Sequence, residues 1–235
     1  MLENNLLALF ITFVIALIWL RLNDWAAARG WISNRLSRKI IHIGTGPIFV
    51  LCWLLFTEAP IARYLAASVP LLITGQFVLV GLGLIEDKAA VQAMTRTGDR
   101  GEILRGPLFY GLVFVLLTVM YWKDTLIGIV ALMLTCGGDG LADILGRRWG
   151  RWKLPWGQEK SLVGSAGMFA GGWLCAVGVV AVYGSFGAVP FPLTVYLLPI
   201  TWIALVGTLV ESLPFRDVDN LTVTAAALLV GHWLL

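Results

Sequence analysis

The chain has 235 residues, 59% of them hydrophobic and only 13% charged, where a soluble domain carries ~25% charged residues. An ordinary soluble enzyme is excluded and no nucleic-acid partner is expected. The net charge of +3 matters less than where the charges fall.

Apolar runs predict spans near 5–20, 41–57, 66–85, 107–122, 125–145, 162–184, 190–210 and 220–235, the last one short. At ~20 residues per helical span, they account for nearly the whole length. The expected fold class is therefore all-α: a polytopic helical bundle of about eight transmembrane helices, forming one integral membrane domain over residues 1–235. Leu6–Leu20 reads as a retained first span, because Glu3 but no Lys or Arg precedes it and no small-residue cleavage site follows. Fifteen of the 17 Lys and Arg residues fall on the connections near 21–40, 86–106, 139–161 and 211–220, and only Arg63 and Lys123 on the other side. The positive-inside rule then puts those four connections in the cytoplasm and both termini outside. Cys52, Cys136 and Cys175 lie in apolar runs without metal-ligand spacing, so buried packing is their expected role.

The polar clusters all fall on the basic side. Arg38, Lys39 and His42 open the second span in SRKIIHIGTG, three and four residues apart and so able to share a helical face. His42 suits a proton acceptor or a phosphate contact, and a structural histidine is the alternative. GDRGEILRGP, with Glu102 and Arg105, leads into the fourth span as a flap or a solvated loop.

Asp139 and Asp143 follow a nearly unbroken apolar run from Thr125 to Gly138. An aspartate at membrane depth costs roughly 2.5 kcal/mol or more, so it must face protein, ion or water. Four residues apart, the two acids share a face and suit Mg²⁺; arginine pairing within the bundle is the rival. Gly138, Gly140, Gly146 and Gly150 leave that face without bulk for a nucleotide, although small residues four apart also pack membrane helices. Arg147, Lys153 and Lys160 supply phosphate contacts. Ser161, beside Lys160 at the start of the sixth span, suits a helix N-terminal anion site. Glu211, Asp217, Asp219 and Asn220 make a short acidic connection on a basic face, a candidate for a second metal contact or for ribose and base recognition.

Taken together, Arg38-Lys39-x-x-His42, Arg105-Gly106-Pro107, Gly138-Asp139-Gly140 with Ala142-Asp143, Lys160-Ser161 with Gly164-Ser165, and Glu211-Ser212-Leu213-Pro214 with Asp219-Asn220-Leu221-Thr222-Val223 resemble the CTP-dependent polyprenol kinases. The likeness is to the phytol kinase and farnesol kinase group, with dolichol kinase more distant, and it runs from about residue 36 to the end. The family's last motif usually has two adjacent acids before the asparagine and a proline after the valine; here those positions hold Val218 and Thr224. The resemblance implies a membrane kinase that moves a phosphoryl group from CTP, with Mg²⁺ on Asp139 and Asp143, to a prenyl alcohol such as phytol, geranylgeraniol or farnesol. Its active site would face the cytoplasm of a bacterial inner or internal membrane, or lie on a plastid membrane. A CDP-lipid synthase and a diacylglycerol kinase are rivals that use the same groups. An ion-coupled transporter fits less well, because the polar residues cluster on one face.

Overall fold

A computed structural model of the chain describes residues 3–95, 97–214 and 218–235. Arg96, Arg216 and Asp217 of the sequence reading lie outside the described residues. The architecture is a bundle of helices with one small hairpin. Helix α1 (Asn5–Ala28) starts where the Asn4 side chain accepts from the Leu6 and Leu7 amides. Helix α2 (Asn34–Cys52) is capped by Ser33, whose hydroxyl accepts from Leu36 N at 3.2 Å. This cap starts α2 seven residues earlier than the apolar run suggested, because Arg35, Arg38 and Lys39 are helical despite their charge. Arg38, Lys39 and His42 thus lie inside the helix rather than at its mouth.

Helix α3 (Ala62–Leu82) ends at Gly83, whose φ of 77° is the left-handed conformation that glycine adopts without strain. The 86–106 connection is partly ordered, with the short α4 (Lys88–Met94) and a 3₁₀ turn over Arg100–Leu104. Gly106-Pro107 then opens α5 (Gly106–Met120), where proline's missing N–H costs nothing.

The hub of the bundle is the next span. Helix α6 (Leu126–Met133) passes through a π-helical segment, Leu134–Gly138, into α7 (Asp139–Trp149). Residues 127–138 are all buried, because α2, α5, α8 (Leu162–Ser185), α9 (Leu193–Glu211) and α10 (Asp219–Leu234) pack around this span. It is apolar all round because it meets protein on every side. Where Gly137 and Gly171 pass, a Cβ on Gly171 would sit 2.3 Å from the Gly137 carbonyl oxygen, so α8 presses backbone to backbone on the π segment.

Among the described residues seven helices are long and apolar enough to cross a membrane. The eighth expected span is α10, which at 16 residues is shorter than those seven spans of 19 to 24 residues. Leucines such as Leu72 and Leu198, 62% and 66% exposed, give the outside of the bundle an apolar surface suited to lipid. Between α7 and α8 the chain makes an antiparallel hairpin, β1 (Lys153–Leu154) and β2 (Gly157–Ser161).

The two ends of the bundle differ in charge. At one end Arg63 pairs with Asp124 at 2.6 Å and Lys123 with Glu58 at 2.7 Å. The basic connections and every other polar cluster named above lie at the opposite end.

The backbone contact between α8 and the π segment should be intolerant of one added methyl. Gly171→Ala is expected to lose about 1–3 kcal/mol of stability, whereas Gly178→Ala, where a Cβ meets nothing within 4 Å, should lose none. Thermal unfolding of both variants in one detergent checks this, and equal shifts would contradict it.

Candidate active site

Asp139 is the first residue of α7, directly after the π segment, and Asp143 lies one turn on. From α2, Lys39 Nζ reaches Asp139 Oδ2 at 3.3 Å and Asp143 Oδ2 at 3.7 Å, so one ammonium bridges both carboxylates. Arg147 Nε closes on the other oxygen of Asp143 at 2.5 Å. His42, one turn beyond Lys39, brings Nε2 to 3.2 Å from Asp139 Oδ2 and to 3.2 Å from the Thr135 carbonyl oxygen. Both are acceptors, so Nε2 carries a proton. Tyr110 of α5 stacks on the imidazole at 4.2 Å between ring centroids, and its hydroxyl donates to the His42 carbonyl at 2.8 Å.

A second cluster adjoins the first. Lys160 Nζ, at the end of β2, donates to Glu211 of α9 and to Asp219 Oδ2 of α10 at 3.1 Å. Trp156 fixes the hairpin in this position by donating its Nε1 proton to the Ser212 carbonyl at 3.1 Å. Lys160 lies close enough for its charge to be felt at Asp139. Burial pulls the Lys160 ammonium down, but Glu211 and Asp219 outweigh that and hold it above its ordinary value. Four carboxylates therefore face Lys39, Arg147 and Lys160 across one site.

The other expected residues are placed as follows. Asn220 comes within 3.5 Å of the Gly106 carbonyl and lines the same cavity as Lys39, His42 and Asp139. Arg38 also lines that cavity and donates to the Thr95 carbonyl at 3.0 Å. Arg105 directly precedes α5. Lys153 is exposed on β1. Glu211 and Asp219 meet Lys160 rather than a second metal position. Ser161 is buried, and its oxygen accepts from the Gly164 amide at 3.1 Å as the N-cap of α8.

The glycines have packing reasons. A Cβ on Gly138 would strike Met168, one on Gly140 would strike Ile43, and those on Gly146 and Gly150 would crowd Ser161. Their bareness lets α2, α8 and the hairpin close on α7. Sequence reasoning missed Tyr110 and Thr135. A tyrosine one turn after Gly106-Pro107 in an apolar span was the available signal; a backbone carbonyl at Thr135 gave none.

The oxygen chemistry at Asp139 and Asp143 fits Mg²⁺. Their Oδ2 atoms converge on one cation position, where Lys39 Nζ sits, and Mg²⁺ takes one or two carboxylates plus phosphates and water. Among the described residues no group of three or more His, Cys, Asp or Glu side chains converges, so substrate phosphates would supply the remaining oxygens.

From this polar end a cavity of about 220 Å³ runs into the bundle between α1, α2, α3 and α5. Away from Lys39, His42 and Asp139 its walls turn apolar, with Ile48, Phe49, Ile73, Phe77 and Phe114. A polar head joined to a long apolar body is the shape of a lipid alcohol.

The relatives agree with that shape. The chain is 39% identical over 212 residues to a probable phytol kinase 1, chloroplastic, of Glycine max, covering 89% of this chain and 70% of the relative. It is 38% identical over 206 residues to phytol kinase 1, chloroplastic, of Arabidopsis thaliana, covering 87% and 68%. It is 37% identical over 238 residues to farnesol kinase, chloroplastic, of Arabidopsis thaliana, covering 99% and 77%. The chain belongs to the phytol kinase and farnesol kinase family. No family model matches it, and no solved structure does.

Breaking the second cluster should destabilise this kinase-family fold measurably. Lys160→Met leaves Glu211, 5% exposed, without its cation and is expected to cost about 3 kcal/mol or more. The double variant Lys160→Met/Glu211→Gln should recover most of that loss. Because the lysine's folded value is raised, its contribution is complete below the ordinary value of 10.5 and is lost as pH climbs through the higher folded value. The gap between wild type and Lys160→Met should therefore close in strongly alkaline solution, as unfolding curves at several pH values would record.

Proposed function

We propose that the protein is a membrane-embedded, CTP-dependent kinase that phosphorylates the hydroxyl of a prenyl alcohol. The single observation that carries this reading is the cavity that joins Lys39, His42 and Asp139 to an apolar groove between four helices. The substrate class follows from relatives named as phytol and farnesol kinases. The membrane setting rests on the seven apolar helices and the lipid-suited exterior. The active-site end, which carries the basic connections, faces the cytoplasm or the plastid compartment that corresponds to it. The relatives' chloroplastic names support a plastid membrane.

The prenyl chain lies in the groove and its hydroxyl meets His42 and Asp139. The CTP triphosphate lies against Lys39, Arg147 and Lys160, which offset its charge. Phosphoryl transfer needs chiefly positioning and charge stabilisation, and these cations flank the place where the alcohol ends. The alcohol oxygen bonds to the γ-phosphorus as the bond from that phosphorus to the β–γ bridging oxygen breaks. CDP leaves, and the hydroxyl proton passes to His42 Nδ1. Asp139 holds Nε2–H and so keeps the ring in that tautomer. Mg²⁺ on Asp139 and Asp143, when bound, supplies neutralisation of the phosphate oxygens.

Purified protein incubated with Mg²⁺, γ-labelled CTP and phytol or farnesol should yield labelled prenyl monophosphate and CDP. Asp139→Asn should lower that rate about 10³-fold while the protein stays monodisperse in detergent. Release of pyrophosphate from phosphatidate or a prenyl phosphate would instead make the site a CDP-lipid synthase. Full activity in Asp139→Asn would remove the metal assignment.

A further inference from the structure

The groove is also a ruler. We infer that the facing pair Ala16 and Ile48, with Thr12, Cys52 and Val69 as the floor beyond them, sets how long a prenyl chain the enzyme accepts. This rests on the kinase reading above and adds the residues that select among its alcohols.

Helices α1 and α2 run antiparallel, and three contacts fix their levels. The Ser37 hydroxyl donates to the Asn23 carbonyl at 3.3 Å, the Trp19 ring lies over Gly44, and the Thr12 hydroxyl lies beside the Cys52 thiol. Residue 16 therefore stands level with residue 48. All of these levels except that of Asn23 and Ser37 open onto the cavity. At the floor Thr12, Cys52 and Val69 are 1%, 6% and 1% exposed, and behind them Ala8, Trp53 and Phe56 fill the bundle. The groove is thus closed at the end away from Asp139.

Its length follows from the helix. From His42 to Cys52 is ten residues, about 15 Å at the α-helical rise. Three backbone bonds span at most ~3.6 Å, so a four-bond isoprenoid repeat spans at most about 4.8 Å. The groove then takes about three repeats below the hydroxyl. The level of Ala16 and Ile48 lies six residues from His42, about 9 Å, room for about two. A fourth repeat, as in phytol, has to turn outward along α1, which Ala8, Thr12 and Asn23 alone seat as buried residues.

Ala16 is the small residue of the pair at this level, so enlarging it should shorten the ruler. The test measures kcat/KM for geraniol, farnesol and geranylgeraniol with wild type, Ala16→Phe, Ile48→Phe and Leu17→Phe. Leu17 is exposed to lipid and does not line the groove. Ala16→Phe should lower the farnesol-to-geraniol ratio of kcat/KM about tenfold or more, and Leu17→Phe should leave it unchanged. Ile48→Phe narrows the same level from α2 and carries the test if Ala16→Phe does not fold. An equal loss for all three alcohols, or an unchanged ratio in a folded variant, would overturn the ruler while leaving the kinase reading intact. A wild type that phosphorylates no alcohol would overturn the kinase reading and the ruler with it.

Discussion

An aspartate at the end of an apolar run has to be met by charge, and in this bundle Lys39 meets it. Its ammonium bridges Asp139 and Asp143, tying α2 to the most buried span of the protein. The bridge fixes more than a helix pair. It sets His42 one turn further along α2, where Nε2 finds both Asp139 and the Thr135 carbonyl. It also places the mouth of the groove, because Lys39, His42 and Asp139 all line it. A change in that register would move His42, Asp139, Asp143 and the groove together.

The π segment makes this arrangement possible. Leu134–Gly138 winds wider than an α-helix just before Asp139, and the glycines at 137 and 138 let α8 close against it. Such segments are frequent at functional sites because they aim side chains that regular winding would point elsewhere. The hairpin does the same work from the other side. It carries Lys160 back over the bundle end to Glu211 and Asp219, so that a cation lies near Asp139 from a segment outside the spans. The site thus sets the carboxylates of Asp139, Asp143, Glu211 and Asp219 against the cations of Lys39, Arg147 and Lys160.

Much of this was legible in the residues. The spans followed from hydropathy, and the sorting of basic residues to one end anticipated where the polar clusters meet. The shared face of Asp139 and Asp143 followed from their spacing. What stayed hidden depends on contacts distant in sequence. Lys160 finds its partners 51 and 59 residues away, and a loop lysine carries no mark of that. Ser161 reads as an anion contact at a helix start, and its oxygen also caps that helix by accepting from the Gly164 amide. Gly146 and Gly150 read as nucleotide access with helix packing as the rival, and α8 with its cap Ser161 supplies packing contacts to both. The groove was invisible because four helices build it and no one of them has a distinctive pattern.

The central claim is that a prenyl alcohol lies between α1, α2, α3 and α5 with its hydroxyl at Asp139 and His42. The most direct test is photocrosslinking of the purified enzyme with farnesol bearing a diazirine on its third repeat, followed by peptide mapping. The account predicts adducts at Thr12, Ala16, Cys52 or Val69, competed away by unlabelled farnesol. Adducts confined to lipid-facing residues such as Leu17, Leu72 or Leu198, without competition, would contradict it.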